Sequence, residues 1–365
     1  MKRYPYVEIN MERLRQNSRR VCGFCRENGI NVAGVIKFSD GCPAIAKAYY
    51  DGGCAEIGSS RLSHLKRLKE TYPEIPTLLI RTPMPDQAEE TVRFCNASLN
   101  TERKTLEALN AAADKLGIRH EVILMLDVGD LREGVLTEEE LCSLAITVEK
   151  DLPALRLRGI GTNFACFGSV LPDRNNLARL CKAAELVEQA IGRPLETVSG
   201  GGSGSLIPLQ KGEMPEKVNH LRVGGNIANP ITMRMNRGFE LPGMNEDTFL
   251  LHAQIIEANR KPTSPANQSG KNWEGKRVEY EDRGIRSRVI AALGSADAGN
   301  LANLIPLDES LRILGGSSDH LIVDTEDSPR EYAVGDELCF RMRYENLLRV
   351  FLADEVEKVF SEDKI

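Results

Sequence analysis

The 365-residue chain lacks the features that would assign it to a membrane, a secretory or a nucleic-acid-binding class. It has no apolar run near the roughly 18 residues that a membrane helix needs, and no apolar segment follows the basic residues at its start. It has no excess of positive charge, since 47 Lys and Arg face 53 Asp and Glu, for a net charge of −6. Nucleic acid is therefore not the expected partner, and we expect a soluble cytoplasmic protein.

The chain also lacks the cysteine and histidine spacing of a disulfide scaffold or a metal site. Its nine cysteines are an odd number, and they are scattered along a long chain rather than grouped in pairs. The five histidines show no metal-binding spacing, and the one close pair, Cys22 and Cys25, lies on a helical pattern. A structural zinc needs four ligands, so we expect no metal.

The first two thirds of the chain alternate short β-rich apolar runs with helical stretches. The predicted strands are Val32–Lys37, Ala55–Ser59, Thr77–Arg81, Ala97–Asn100, Val122–Val128, Leu155–Thr162, Leu195–Ser199 and His220–Gly224. Strands that alternate with helices are typical of parallel βαβ units. Eight of them in about 200 residues fit a closed (β/α)₈ TIM barrel, and we predict one over residues 1–232.

The rhythm changes after residue 232, where predicted strands follow one another with glycine-bearing turns and no long helix between them. We predict a C-terminal mostly-β domain over residues 233–365 in this α/β protein. The polar stretch Pro262–Gly275 is typical of a loop or a hairpin tip. We expect the apolar segment at residues 6–10 to be a further strand that packs with this domain.

Lys37 ends an apolar predicted strand. In a barrel of this kind, side chains at the carboxyl ends of the strands face the active site. Apolar surroundings would partly desolvate the amine, lower its pKa and make it a nucleophile for a Schiff base. The plain alternative is a surface lysine at a strand exit.

Arg132 follows a predicted strand in the segment MLDVGDLREG, together with Asp127. A guanidinium offers a rigid fork to a phenolate, a carboxylate or a phosphate. The alternative is an ion pair between Asp127 and Arg132 that holds a loop.

The glycine-rich run SGGGSGSL, Ser199–Leu206, follows the seventh predicted strand of the barrel. Its glycines let several backbone N–H groups approach one anion, and Ser203 and Ser205 add hydroxyls. Phosphate sites in TIM barrels recur after strands seven and eight. Arg222 and Gly224 follow on the eighth strand, and the alternative is a flexible loop.

The C-terminal part offers fewer chemical signals. Ser318 and Asp319 lie in SSDHLIVD, which has the composition of a turn into a strand. Tyr280 and Tyr344 lie near predicted strand ends, where each alone is typical of packing.

Taken together, these segments resemble the alanine racemase family, the fold-type III pyridoxal-phosphate enzymes, and within it the ornithine racemase-like branch. Seven segments carry the resemblance in the order of the family: GVIKFSDGCPAIAKA, MLDVGDLREG, RGIGTNFACFG, SGGGSGSLIP, NHLRVGGNI, SSDHLIVD and RYENLL. Each is weak alone, but together they span nearly the whole chain.

The resemblance implies a racemase that interconverts L- and D-amino acids with pyridoxal 5'-phosphate. Lys37 would hold the cofactor as a Schiff base and act as one base. The other implied cofactor contacts are Ser203, Gly224 and Tyr344 at the phosphate, Arg222 at the pyridine nitrogen, Arg132 at the phenolic oxygen and Asn163 in the place of a ring-stacking histidine.

The second base of the family is a tyrosine from the partner subunit, so the resemblance also implies a homodimer with shared active sites. Tyr280 is the nearest match, and Ser318 and Asp319 are the further residues expected to reach across and bind substrate, as Arg132 would within its own subunit. The family's phosphate-binding tyrosine is replaced by Gly41 and the tyrosine of its IGYADG turn by Ser295. Fewer aromatics leave room for a side chain longer than that of alanine.

These departures favour ornithine or another basic amino acid, whose terminal ammonium could pair with Asp130, Glu133 or Asp319. The alternatives are an alanine racemase, a decarboxylase or aldolase on the same fold, a non-catalytic pyridoxal-phosphate-binding protein, or a member that has lost activity. The decarboxylases carry a His-Val-Gly-Ser-Gly motif that this chain lacks.

Overall fold

The computed structural model describes residues 3–267, 270–271, 275, 277 and 279–362. The chain divides into two compact units. One is Met11–Asn245, and the other combines the described residues of 1–10 with those of 246–365. None of the described helices is both long and apolar enough to cross a membrane.

The first unit is a closed barrel of eight parallel strands, as predicted. After β1 (Tyr6–Asn10), its strands are β2 (Asn31–Val35), β3 (Glu56–Ser59), β4 (Thr77–Leu79), β5 (Ala97–Asn100), β6 (His120–Met125), β7 (Leu155–Gly161), β8 (Thr197–Gly202) and β9 (His220–Val223). Closure comes from β9 pairing with β2, where Gly34 lies opposite Val223. Because all strands run the same way, their carboxyl ends meet at one mouth.

Helices follow the barrel strands in turn. They are α1 (Met11–Arg26), α2 (Pro43–Asp51), α3 (Leu62–Thr71), α4 (Ala88–Phe94), α5 (Arg103–Leu116), α6 (Glu138–Asp151), α7 (Arg174–Ile191), α8 (Leu206–Gln210), α9 (Gly225–Ala228) and α10 (Pro230–Arg237). Local sequence sets several of their starts: Thr137 and Glu140 form a capping box on α6, and Asp173 caps α7. Such caps satisfy backbone N–H groups that a helix start would leave without partners.

The barrel has an apolar layer inside and another between strands and helices. The inner cluster consists of Ala33, Leu78, Ala97, Leu99, Ile123 and Met125. The larger cluster joins β6, β7 and β8 to α5, α6 and α7. This apolar packing holds the strand ends, and the side chains that follow them, in fixed positions.

The second unit is built on a mostly antiparallel sheet, as predicted. Its remaining elements are β10 (Phe249–Pro262), β11 (Ile285–Ala292), α11 (Ser295–Ala298), β12 (Ile305–Pro306), β13 (Arg312–Gly316), β14 (His320–Asp324), β15 (Glu337–Arg341), α12 (Tyr344–Leu352) and β16 (Glu357–Ser361). The described strands pair in the order β12-β15-β10-β11-β14-β13, and β1 pairs with both β10 and β16.

The limits of several elements differ from the prediction. The predicted division after residue 232 falls inside α10, and the compact units divide after Asn245 instead. The strand β10 runs to Pro262, where we predicted a loop to begin; residues 268–269 and 272–274 of that loop lie outside the described residues. Tyr344 opens the helix α12, which the sequence analysis did not predict.

Candidate active site

Three of the predicted site residues follow neighbouring strands at the barrel mouth. Ser203 follows β8, Gly224 follows β9, and Lys37 lies two residues after β2. The strands β8, β9 and β2 are adjacent in the barrel, and all run in the same direction. The fold therefore brings the predicted amine and the predicted phosphate-binding turns to one sector of the mouth.

We expected Lys37 to end a strand, and the structure shows that it does not. β2 stops at Val35, and Lys37 opens a short 3₁₀ helix, Lys37–Ser39. Its side chain is exposed, so the prediction that the Lys37 amine is partly desolvated is wrong for the single chain. No described residue forms a hydrogen bond or an ion pair with its amine, which leaves it available to a ligand.

The turn at Gly224 requires glycine because two backbones approach closely there. A Cβ at this position would lie 2.5 Å from the carbonyl oxygen of Val35, at the end of the neighbouring strand. The N–H of Asn226, two residues after Gly224, donates to the Ser203 hydroxyl over 3.4 Å. This bond joins the turn at Gly224 to the turn that follows β8. The side-chain Nδ2 of Asn226 is buried and has no hydrogen-bond partner among the described residues. A phosphate needs such donors.

The glycine-rich run is part strand and part turn rather than a loop. Ser199–Gly202 belong to β8, and only Ser203–Ser205 form a 3₁₀ turn. Ser205 is buried, and its hydroxyl donates to the Gly200 carbonyl over 2.6 Å. Ser205 thus holds the turn together, whereas the half-buried Ser203 is placed to contact a ligand.

Arg222 is buried in the barrel with only 6% of its surface exposed. Its guanidinium donates to the Thr162 carbonyl and to Asn163 Oδ1, each over 2.6 Å, and to the Ser199 hydroxyl. Burial lowers the pKa of Arg222 to about 10. The side chain therefore stays charged at neutral pH, and it is held by three acceptors in one orientation.

Asn163 connects Arg222 to the loop after β6. The amide of Asn163 accepts from Arg222 and donates to Glu133. Glu133 in turn binds Arg132, with 2.7 Å between Arg132 Nη2 and Glu133 Oε1. The ion pair between Asp127 and Arg132, which was the alternative interpretation, is not formed, because Asp127 Oδ1 accepts the N–H groups of Gly129 and Leu131 instead.

A second polar chain leads from Arg222 to the other end of the barrel. Ser199 Oγ lies 2.8 Å from His220 Nδ1, and His220 Nε2 lies 3.0 Å from Glu56 Oε1. Glu56 accepts two further bonds from Arg158, at 2.8 and 3.0 Å. Because Arg222 donates to Ser199, the hydroxyl donates to His220 and His220 donates to Glu56. Every member of this chain thus helps to fix the guanidinium of Arg222.

The barrel mouth also contains buried polar atoms that have no partner among the described residues. They are Asn100 Oδ1 at the end of β5, both carboxylate oxygens of Asp130, Thr162 Oγ1 after β7 and Asn226 Nδ2 after β9. Buried polar groups in folded proteins are nearly always hydrogen-bonded. Their concentration at the carboxyl ends of the strands indicates a place built for a polar ligand.

The remaining predicted residues lie in the C-terminal unit. Tyr280 is 49% exposed and lies in a cleft of about 930 Å³ within that unit. Ser318 and Asp319 are exposed in the turn between β13 and β14, where the Ser318 hydroxyl donates to Asp319. Tyr344 is half-buried at the start of α12.

Sequence reasoning missed four residues of the barrel site: Glu56, Ser199, His220 and Asn226. Their partners are distant in sequence, with 164 positions between Glu56 and His220, so local spacing gives no sign of them. The signal in the sequence was the presence of polar residues within strands that are otherwise apolar. A buried carboxylate or imidazole requires a partner.

Comparison with known proteins places this site in a family. The N-terminal domain of alanine racemase matches residues 9–227. An ornithine racemase of Acetoanaerobium sticklandii is 39% identical over 97% of this chain and 99% of its own. A lysine racemase of Thermotoga maritima is 34% identical over 98% of each chain.

Solved structures of much lower identity share the fold. The alanine racemase of a D-cycloserine-producing Streptomyces lavendulae superposes with a TM-score of 0.78 at 16% identity, over 99% of this chain and 98% of its own. A D-threonine aldolase of Filomicrobium marinum superposes with a TM-score of 0.72 at 15% identity, over 95% and 89%. The predicted fold and family are confirmed: this chain belongs to the alanine racemase family.

Proposed function

We propose that this protein racemises a basic amino acid, ornithine or lysine, with pyridoxal 5'-phosphate as cofactor. Its membership of a racemase family makes it an amino-acid racemase, an isomerase. The basic substrate is supported by the two relatives that match nearly its full length, an ornithine racemase and a lysine racemase. The observation that carries the proposal is the sector of the barrel mouth that holds Lys37, Ser203, Gly224 and Arg222.

The residues of this sector fit the proposed cofactor. The Lys37 amine has no partner among the described residues and can bond an aldehyde. The buried Nδ2 of Asn226 needs an acceptor, and with Ser203 and Gly224 it can hold a phosphate. Arg222 would face the pyridine nitrogen and Arg132 the phenolic oxygen, while Tyr344 would add a phosphate contact. When bound, the cofactor supplies an electron sink that acidifies the Cα proton of the amino acid.

Arg222 limits how strong that sink becomes. A guanidinium with a pKa of about 10 keeps its proton at neutral pH. A guanidinium can donate a hydrogen bond to a ligand atom, but it does not transfer its proton to that atom as a carboxylic acid would. Facing the ring nitrogen of a bound cofactor, this guanidinium would disfavour protonation of that nitrogen, and so would favour proton return at Cα over transamination. The bonds to Thr162, Asn163 and Ser199 hold this donor in place.

Racemisation requires a proton to leave one face of Cα and to return on the other. Lys37 Nζ is the proposed base on one face, and the hydroxyl of Tyr280 is the proposed acid on the other. We propose that Tyr280 comes from the partner in a homodimer, with Ser318 and Asp319 of the same unit. Nine free thiols support a cytoplasmic location, because oxidising compartments favour disulfides.

The test is to incubate the protein and pyridoxal phosphate with single L-amino acids and to separate the products on a chiral column. We expect D-ornithine or D-lysine, and slower or no formation of D-alanine. An amine with carbon dioxide would indicate a decarboxylase instead, and D-alanine alone would remove the basic-substrate proposal. If no amino acid gave any product, the result would contradict racemisation.

A further inference from the structure

A basic substrate brings a second ammonium group into the site, and that group requires an anionic partner. Three acidic residues are candidates from the sequence: Asp130, Glu133 and Asp319. Their environments in the structure differ enough to distinguish them.

Glu133 and Asp319 are already engaged. Glu133 binds the guanidinium of Arg132 and the amide of Asn163, so its charge is neutralised within the chain. Asp319 is exposed and accepts a hydrogen bond from Ser318.

Asp130 is the opposite case. Only 2% of its surface is exposed, and neither carboxylate oxygen has a hydrogen-bond partner among the described residues. An unpaired carboxylate is unfavourable in the interior unless a cation or a donor joins it. The charge of Arg132 acts on Asp130, but its guanidinium hydrogen-bonds to Glu133, so the Asp130 oxygens still have no donor among the described residues.

Gly168 packs closely against Asp130. The loop after β7 is joined to Asp130 by the N–H of Gly168, which donates to the Asp130 carbonyl over 3.2 Å. A Cβ at Gly168 would lie 2.8 Å from that carbonyl oxygen and 3.3 Å from Asp130 Oδ1. Gly168 does not have a positive φ, so its backbone conformation does not demand glycine. Glycine is needed here because the backbone of this loop lies against Asp130, and that contact helps to bury the carboxylate.

We propose that the Asp130 carboxylate binds the terminal ammonium of the substrate and selects α-amino acids that carry a primary amine at the end of the side chain. This inference rests on the proposed racemase function. The loop that carries Asp130 also carries Arg132 and Glu133, and Glu133 is linked through Asn163 to Arg222. The proposed selecting group thus lies on the same loop as a residue that is hydrogen-bonded to the proposed cofactor-binding network.

The test compares Asp130→Asn with wild type on L-ornithine and on L-norvaline, the same chain without the terminal amine. Loss of a hydrogen bond to a charged group predicts a fall of roughly 10- to 100-fold in kcat/KM for ornithine, mainly through KM. Activity on norvaline should stay within about twofold by the same reasoning. Asp114→Asn, on the exposed face of α5, is the matched control and should change neither substrate.

Binding measured without turnover separates this inference from the racemase proposal. Calorimetric titration of the cofactor-free protein should give tighter binding of L-ornithine than of L-norvaline, and Asp130→Asn should abolish the difference. An equal preference for ornithine in wild type and Asp130→Asn would overturn the assignment, as would loss of that preference in Asp319→Asn alone. If the wild type racemises no amino acid, the proposed function fails, and the titration still decides the role of Asp130.

Discussion

Replacing Glu56 by Gln should destabilise the barrel more than any exchange of a surface carboxylate. Glu56 is 3% exposed and accepts bonds from Arg158 and His220. Burial alone would raise its pKa, but the hydrogen bond and charge of His220, followed by those of Arg158, outweigh burial and lower the pKa from 4.5 to about 2. Burial also lowers the pKa of His220, so that Arg158 is the lasting countercharge at neutral pH.

The magnitude follows from this fall in pKa. A fall from 4.5 to about 2 corresponds to roughly 3 kcal/mol of stabilisation at neutral pH. Removing one partner of a buried ion pair typically costs about 3–5 kcal/mol, in agreement with this value. The pKa is depressed in the folded state, so the stabilisation is complete above pH 4.5 and is lost as the pH falls towards 2.

The assay is urea unfolding, followed by circular dichroism, of wild type, Glu56→Gln and Glu196→Gln at pH 7 and pH 3. Glu196 accepts from Arg156 but is 51% exposed, so its exchange should cost about 0–1 kcal/mol. The deficit of Glu56→Gln should be about 3 kcal/mol at pH 7 and smaller at pH 3. A deficit equal to that of Glu196→Gln, or one independent of pH, would refute the reasoning.

Three further exchanges test the proposed site. Lys37→Ala should remove the visible absorbance of protein-bound pyridoxal phosphate, whereas Lys47→Ala, on the exposed face of α2, should keep it; a surviving band would exclude Lys37. Tyr280→Phe should lower racemisation by about 10²- to 10⁴-fold, the usual contribution of a positioned proton donor, and unchanged turnover would assign the second face to another residue. Gly224→Ala places a Cβ 2.5 Å from the Val35 carbonyl, so it should weaken pyridoxal-phosphate binding in a fluorescence titration and cost about 1–3 kcal/mol. Gly23→Ala, which has open space in α1, is its control, and equal behaviour of the two would contradict the close approach at Gly224.

The barrel was predictable because each of its eight strands is a short apolar run followed by a helical pattern. The exact strand ends were not, because a strand stops where its neighbours cease to pair rather than where apolar residues run out. Lys37 illustrates this, since β2 ends at Val35 while the apolar run continues through Ile36. The same reason explains why Gly200–Gly202 were not predicted to continue the strand β8.

The candidate site was predictable only in part, for a related reason. Lys37, Arg222 and the glycine-rich run belong to compact segments that resemble those of the family in the same order, so the resemblance could locate them. Glu56 and Arg158 are 102 positions apart, and only the closed barrel brings them together. The choice of Asp130 among three carboxylates depends on burial against Gly168, which no spacing of acidic residues reveals.

The most direct test of the account is exchange at Cα in D₂O. The protein with pyridoxal phosphate is incubated with L-ornithine, L-lysine or L-alanine, and deuterium content and chirality are measured by NMR and chiral chromatography. We expect deuterated D-ornithine or D-lysine, because Lys37 and a second group act on opposite faces of Cα. Deuterium in an unchanged L-amino acid would leave Lys37 as a base and contradict Tyr280 as its counterpart. The absence of exchange in all three amino acids would contradict the racemase account itself.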